Sequence, residues 1–149
     1  MVYFIKALRI SIYNLKKTMS SIRVLTVLLI VAGFILQNLE AVLNFSNLVG
    51  VRITPYAFPH LTNDYICQLV IMAGVIFIFS NAPYEDDGYF YMLSRSGKLS
   101  WALGQIFYSI SISLIYILFL LLVSVLPLVG NMEIGCEWGK IWGTLAKTD

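Results

Sequence analysis

Two Gly-Lys pairs, Gly97-Lys98 and Gly139-Lys140, come nearest to a nucleotide-binding loop in this 149-residue chain. A phosphate cradle of the form G-x-x-x-x-G-K-[ST] needs a glycine five residues before the Gly and a hydroxyl after the Lys. Neither pair has them, so nucleotide chemistry on this chain is not expected. Three consecutive carboxylates, Glu85, Asp86 and Asp87, have the charge to bind a divalent ion. Consecutive residues on a helix point around its axis, however, and these three suit the positive end of a helix dipole better than one metal centre. Ser109, Ser111 and Ser113 have no histidine or lysine base nearby in sequence, so they read as helix-packing hydroxyls rather than nucleophiles. His60 is the sole histidine and has no cysteine or carboxylate at ligand spacing. Cys67 and Cys136 are too few for a disulfide framework. No catalytic residue, metal or cofactor is expected.

The elements that carry these residues are membrane elements. The chain is 59% apolar and 12% charged, with a mean hydropathy of +0.82. Soluble domains are roughly 45–50% apolar and 25% charged, so a soluble core is excluded as the fold class. A hydrocarbon slab about 30 Å thick takes roughly 20 helical residues per crossing. The expectation is an all-α integral membrane protein with three transmembrane helices, an N-terminal amphipathic interfacial helix, and a short cytoplasmic helix between spans two and three.

Residues 1–22 form the interfacial helix. Lys6, Arg9, Tyr13, Lys16 and Ser20 recur at helical spacing opposite Phe4, Leu8, Ile12, Leu15 and Met19, which places an apolar stripe in the acyl boundary and the basic residues Lys6, Arg9, Lys16 and Lys17 among headgroups. No A-x-A-like cleavage site follows the apolar run Val24 to Leu36, so the segment is not expected to be a removed signal. Span one covers 23–43. Near its far end Gln37, Glu40 and Asn44 fall at i, i+3 and i+7 and share a helical face. A carboxylate costs roughly 2.5–3.5 kcal/mol at the centre of a spanning helix and less toward water, so this stripe faces either the interface or a polar pathway. The outer loop, 44–63, holds Gly50, Pro55 and Pro59. Thr62, Asn63 and Asp64 then supply a helix cap before span two, 64–81, whose only strongly polar side chain is Gln68. Span three, 100–129, is expected to start with Ser100 as N-cap and to exceed the slab. An outer tail, 130–149, follows.

Orientation follows from Lys and Arg. Seven of them (Lys6, Arg9, Lys16, Lys17, Arg23, Arg95, Lys98) flank one side and three (Arg52, Lys140, Lys147) the other. The positive-inside bias puts the N-terminus and the segment Asn81–Leu99 in the cytoplasm, and the 44–63 loop and the C-terminus outside.

That cytoplasmic segment, 82–98, has a clear start and stop. Asn81 or Ala82 caps it, Pro83 occupies the first turn, and Glu85, Asp86 and Asp87 meet the dipole. Arg95 stands near the last turn with Gly97 beyond it. A helix of eleven or twelve residues, roughly 17 Å long, is expected. Its aromatics, Tyr84, Tyr89, Phe90 and Tyr91, with Arg95 suit a protein interface, whereas its acidic turn would be repelled by an anionic leaflet.

The layout resembles the N-terminal half of the membrane (permease) subunit in a family of small six-helix ABC-type exporters that work with a separate ATPase. In that family a coupling helix between spans two and three commonly carries an acidic residue, a glycine, an apolar stretch ending in leucine, an arginine, and then glycine and lysine. Glu85, Gly88, Met92, Leu93, Arg95, Gly97 and Lys98 match it here. The continuation SWALGQIFY resembles the start of the family's third span, and EWGKIWGTLAKT the outer segment before its fourth.

The resemblance implies that Tyr84, Glu85, Asp86, Asp87, Gly88, Tyr89, Tyr91, Met92 and Arg95 dock a cytoplasmic ATP-binding ABC subunit, and that ATP hydrolysis is that partner's work. It also implies a bacterial plasma membrane. Gln37, Glu40, Asn44 and Gln68 are the candidates for a polar pathway lining. The family has six spans and three precede Asp149, which predicts a half-permease that pairs with a second copy or a complementary half, or a truncated product. The other reading is a small non-transporting membrane protein, accessory, immunity-like or pore-forming, whose short helix rests on lipid or binds a regulator. Neither reading involves nucleic acid.

Overall fold

The computed structural model describes residues 2–80, 82, 89–133 and 139–145, with side chains omitted at 2, 89–92 and 145. The described chain is helical: α1 (Val2–Met19), α2 (Ile22–Val49), α3 (Ala57–Asn63), α4 (Tyr65–Phe79), α5 (Tyr89–Ser96), α6 (Lys98–Val125) and α7 (Lys140–Leu145), with a 3₁₀ segment, Leu126–Asn131, continuing α6. Among the described residues the only β pairing is an isolated parallel bridge between Ile53 and Met132.

Two helical stretches, Ile22–Val49 and Lys98–Asn131, are long and apolar enough to cross a membrane. A third crossing exists if α3 and α4, bent by 96° at Asp64, are counted as one broken span. The protein is an integral membrane protein. At 1.5 Å per residue the 28 residues of α2 extend about 42 Å, well beyond a slab of about 30 Å, whereas the 15 residues of α4 reach only about 22 Å. By itself α4 is shorter than the slab.

The side chains of α6 sort onto two faces. Along α6 the buried positions are Ser100, Gly104, Tyr108, Ile112, Tyr116, Leu120 and Ser124, one in every four residues. Between them Ile106, Ile110, Leu114, Leu118 and Leu122 are exposed. Without water to drive them inward, large apolar side chains stay in lipid, and small or hydroxyl-bearing residues let helix backbones approach.

The chain divides into two compact units, 1–28 with 74–117 and 29–73 with 118–149. In the first, Ala7, Ile10, Ser11, Asn14 and Thr18 of α1 are buried, and Ala7, Ile10 and Thr18 meet Gly104 and Tyr108 of α6. Of the expected apolar stripe, Phe4, Leu8, Ile12 and Met19 are exposed and Leu15 is half-buried. The close contact is made by another face, on which Ile10 lies with the small and polar residues Ala7, Ser11, Asn14 and Thr18. Gly104 permits that contact: a Cβ there would lie 2.9 Å from Ile10 Cβ and 3.1 Å from the Ala7 carbonyl oxygen. Phe4 and Phe107 add an edge-to-face pair with centroids 5.4 Å apart.

In the second unit the segment after Gly50 pairs with the segment after α6. Ile53 N–H donates to the Asn131 carbonyl at 3.0 Å and Glu133 N–H to the Ile53 carbonyl at 2.9 Å. Asn131 Nδ2 donates to Asn47 Oδ1 at 2.6 Å. Trp142 of α7 is buried, donates Nε1–H to the Thr54 carbonyl at 2.9 Å, and packs its ring against His60 at 5.1 Å.

Several boundaries differ from the sequence expectation. The helix that carries the expected span 23–43 runs on to Val49, because nothing from Asn44 to Val49 breaks a helix before Gly50, whose φ of +68° does. The 44–63 loop contains α3, in which Pro59 is the third residue. In a first turn the N–H that proline lacks has no intrahelical acceptor anyway. Ser100 is not the cap of α6. The helix starts at Lys98, Trp101 N–H bonds to the Gly97 carbonyl at 3.1 Å, and the Ser100 side chain is buried inside the helix. Asp64 does cap α4, accepting from Cys67 N–H at 3.1 Å and Ile66 N–H at 3.4 Å.

Candidate functional site

The short helix α5 is the element that the sequence singles out. Its stop is as expected. Arg95 occupies the last turn, Gly97 follows with φ +85°, and Gly97 N–H returns to the Leu93 carbonyl at 3.0 Å. This φ lies in the left-handed region, which glycine enters without a Cβ penalty. Because α6 begins at Lys98, one residue separates the two helices. A second tie comes from α1, where Lys6 Nζ donates to the Arg95 carbonyl at 3.3 Å. Lys6 is half-buried and helps to fix α5, whereas the sequence suggested only a headgroup contact.

Leu93 and Ser96 are half-buried, and Ser94 and Arg95 are exposed. Tyr89, Tyr91 and Met92, expected on the short helix, lie on α5. Tyr84, Glu85, Asp86, Asp87 and Gly88, the expected acidic turn, lie outside the described residues.

Arg23 donates from a guanidinium nitrogen to Ser80 Oγ at 3.1 Å, joining the start of α2 to the residue after α4. Thr18 Oγ1 and Tyr108 Oη lie 2.9 Å apart at the buried α1–α6 contact, and the Thr18 hydroxyl also reaches the Asn14 carbonyl at 2.9 Å. Asn14 Nδ2, Ser100 Oγ and Gln105 Nε2 are buried without a hydrogen-bond partner. This polar contact was not singled out from the sequence. The signal for it was the row Ser11, Asn14 and Thr18 at i, i+3 and i+7, uncharged polar residues lying between the basic and apolar faces of α1.

Comparison of the chain with protein-family models, with curated proteins and with solved structures finds no match. Function therefore rests on the geometry of this chain alone.

The four pathway candidates belong to the second unit. Gln37, Glu40 and Asn44 are all exposed along α2, and Gln68 is exposed on α4. None of them is enclosed within the chain. A cleft of about 380 Å³ in this unit is lined instead by Asn38, His60, Asn63, Asp64, Tyr65 and Cys67, with Leu61. His60, expected in a loop, is on α3 and serves as a packing partner of Trp142. Among the described residues no group of three or more His, Cys, Asp and Glu is placed to hold a metal.

Both Gly-Lys pairs act as helix punctuation. Gly97 separates α5 from α6, and Gly139, with φ +73°, precedes α7. Ser109 Oγ donates to the Gln105 carbonyl one turn back at 2.9 Å, the behaviour of a packing hydroxyl in a membrane helix. Of the basic residues on α1, Arg9, Lys16 and Lys17 are exposed, and the two lysines line an open cleft with Tyr13 and Ser20.

Proposed function

We propose that the chain is a membrane-spanning permease subunit, or half-permease, of an ABC-type exporter, in which the segment 82–98 docks a cytoplasmic ATPase and passes its motion into the spans. The single observation that carries this reading is the one-residue connection at Gly97. A short helix with a flexible linker could bind a partner, but its displacement would be lost in the linker. Here α5 ends and α6 begins at consecutive positions around one glycine, and Lys6 ties the end of α5 to α1. A push on α5 has to become a movement of α6.

The exposed stripe on α2 supports a second membrane subunit. Glu40 with Gln37 and Asn44 cannot face acyl chains at depth without a cost of roughly 2.5–3.5 kcal/mol for the carboxylate. A second copy or a complementary half covers the stripe, and the pathway runs along it. The N-terminus and α5 are cytoplasmic, the C-terminus is outside, and the membrane is a bacterial plasma membrane. ATP is hydrolysed by the partner.

The test is affinity capture of the full chain from native membranes, with bound proteins identified by mass spectrometry. Wild type is expected to bring down an ABC ATPase. Charge reversal at Glu85, Asp86 and Asp87, or Gly88→Trp, is expected to abolish that capture while membrane insertion stays intact. No ATPase with wild type, or undiminished ATPase with the variants, overturns the reading and leaves the non-transporting membrane protein in its place.

A further inference from the structure

We infer that the cleft at the bend between α3 and α4 binds the ammonium group of a small organic amine. It lies wholly within the second unit, and its volume of about 380 Å³ is that of a small-molecule site rather than of a bare ion. Asn38 of α2 lines it together with residues on either side of Asp64, where the chain turns by 96°.

The bend releases hydrogen-bond acceptors. In a continuous helix the N–H groups of Ile66 and Cys67 would bond to the carbonyls of Thr62 and Asn63, four residues back. Here both go to the Asp64 carboxylate, at 3.4 and 3.1 Å. Among the described residues no other backbone N–H crosses the bend to replace them at Thr62 or Asn63. Asn38 contributes a further acceptor. Its Nδ2 donates to the Phe34 carbonyl at 2.9 Å, and its Oδ1 receives no hydrogen bond from a described residue.

The lining has the charge to match. Asp64 supplies a carboxylate whose oxygens keep acceptor capacity beyond the one backbone bond that each receives. No Lys or Arg lines the cleft, and His60, the one lining residue able to become a cation, packs its ring on Trp142. A carboxylate with neutral oxygens suits an ammonium, which has three N–H donors and no acceptor. Depth sharpens the requirement. With Ser80 held by Arg23 beyond one end, α4 rises about 22 Å, so Asp64 stands about 8 Å short of the far face of a slab about 30 Å thick. A carboxylate below the membrane surface needs a polar recess and favours a cation beside it. Leu61 and Tyr65 of the same lining offer apolar surface to the carbon body of the amine. A zwitterionic phospholipid headgroup would also bring its phosphate beside Asp64, with no lysine or arginine there to receive it.

Binding of this kind does not depend on an ATPase, so the experiment uses the full chain alone, in detergent on scintillation-proximity beads. The probe is tritiated phenethylamine at about pH 8, above the ordinary range of a histidine. Saturable binding is expected, displaced by unlabelled phenethylamine and not by the neutral isostere phenethyl alcohol. Asp64→Asn keeps a cap residue for α4 while removing the charge, and should weaken binding about tenfold. Asn38→Leu, away from the cap, should weaken it about threefold. Glu133→Gln, at an exposed position outside the cleft, should leave it unchanged. No saturable binding by wild type, equal displacement by the alcohol, or undiminished binding in Asp64→Asn overturns the site. Displacement by sodium at matched ionic strength, or by short-chain phosphatidylethanolamine, would make the cleft a metal-ion or lipid-headgroup site and overturn the amine assignment.

Discussion

Trp142 and Thr54 are 88 residues apart in sequence, and the indole Nε1–H of one donates to the backbone carbonyl of the other at 2.9 Å in a buried setting. This bond and the Ile53–Met132 bridge join the segment after α2 to the segment after α6. Two otherwise irregular stretches thereby satisfy each other's backbone groups, which is the requirement for non-helical chain at the edge of a membrane.

Trp142→Phe removes the indole donor, while the Thr54 carbonyl keeps its bond from Tyr56 N–H at 2.8 Å, so the cost is that of one hydrogen bond, about 0.5–1.5 kcal/mol. Thermal unfolding in detergent, followed by circular dichroism, is expected to show a lower midpoint. Gly139→Ala should produce the same loss by another route. Its backbone has φ +73°, and a Cβ there would lie 2.7 Å from Thr54 Oγ1. If both variants melt as wild type does, the Trp142–Thr54 contact contributes nothing to stability.

The close approach of α1 to α6 makes a second prediction. Gly104→Ala places a methyl 2.9 Å from Ile10 Cβ, and overpacking of this kind costs about 1–3 kcal/mol. A disulfide engineered between positions 4 and 107, where the phenylalanine rings are in edge contact, is expected to form less readily in that variant. Ile10→Gly should restore cross-linking to Gly104→Ala, because it removes both Ile10 atoms, Cβ and Cγ2, that the new methyl would meet at 2.9 Å. Failure of that rescue would mean that the two residues are not in contact in the membrane.

Much of the layout was legible because its signals are local. The Arg95–Gly97 stop and the Asp64 cap depend on residues within one turn of the helix end, and both are in place. The long apolar runs of α2 and α6 needed only length and composition. What could not be read depends on partners far along the chain. Which face of α1 is buried is decided by Gly104, more than ninety residues away, and the polar row Ser11, Asn14 and Thr18 gave no hydrophobic period to detect. The docking of Trp142 on Thr54 and His60 is likewise long-range, so its tryptophan looked like any tail residue. Ser100 was misleading for the opposite reason: it is a favourable cap residue, but Gly97 had already reset the chain three positions earlier.

The connection at Gly97 allows docking and transmission to be separated. Inserting Gly-Ser between Ser96 and Gly97 leaves every residue of α5 intact but gives the helix a slack linker. Under the proposed function this variant is expected to capture the ATPase as wild type does and to lose export, measured in inverted vesicles with the ATPase present. Gly97→Ala is a milder form. Among the described residues no atom lies within 4 Å of the position where its Cβ would be built, so its cost is that of the left-handed backbone, about 1 kcal/mol, and partial activity should remain. Charge reversal in the acidic turn should do the reverse of the insertion, abolishing capture without touching the connection. An insertion variant that exports at the wild-type rate would show that α5 need not move α6, and the helix would then be an anchor for the ATPase rather than the element that carries its motion.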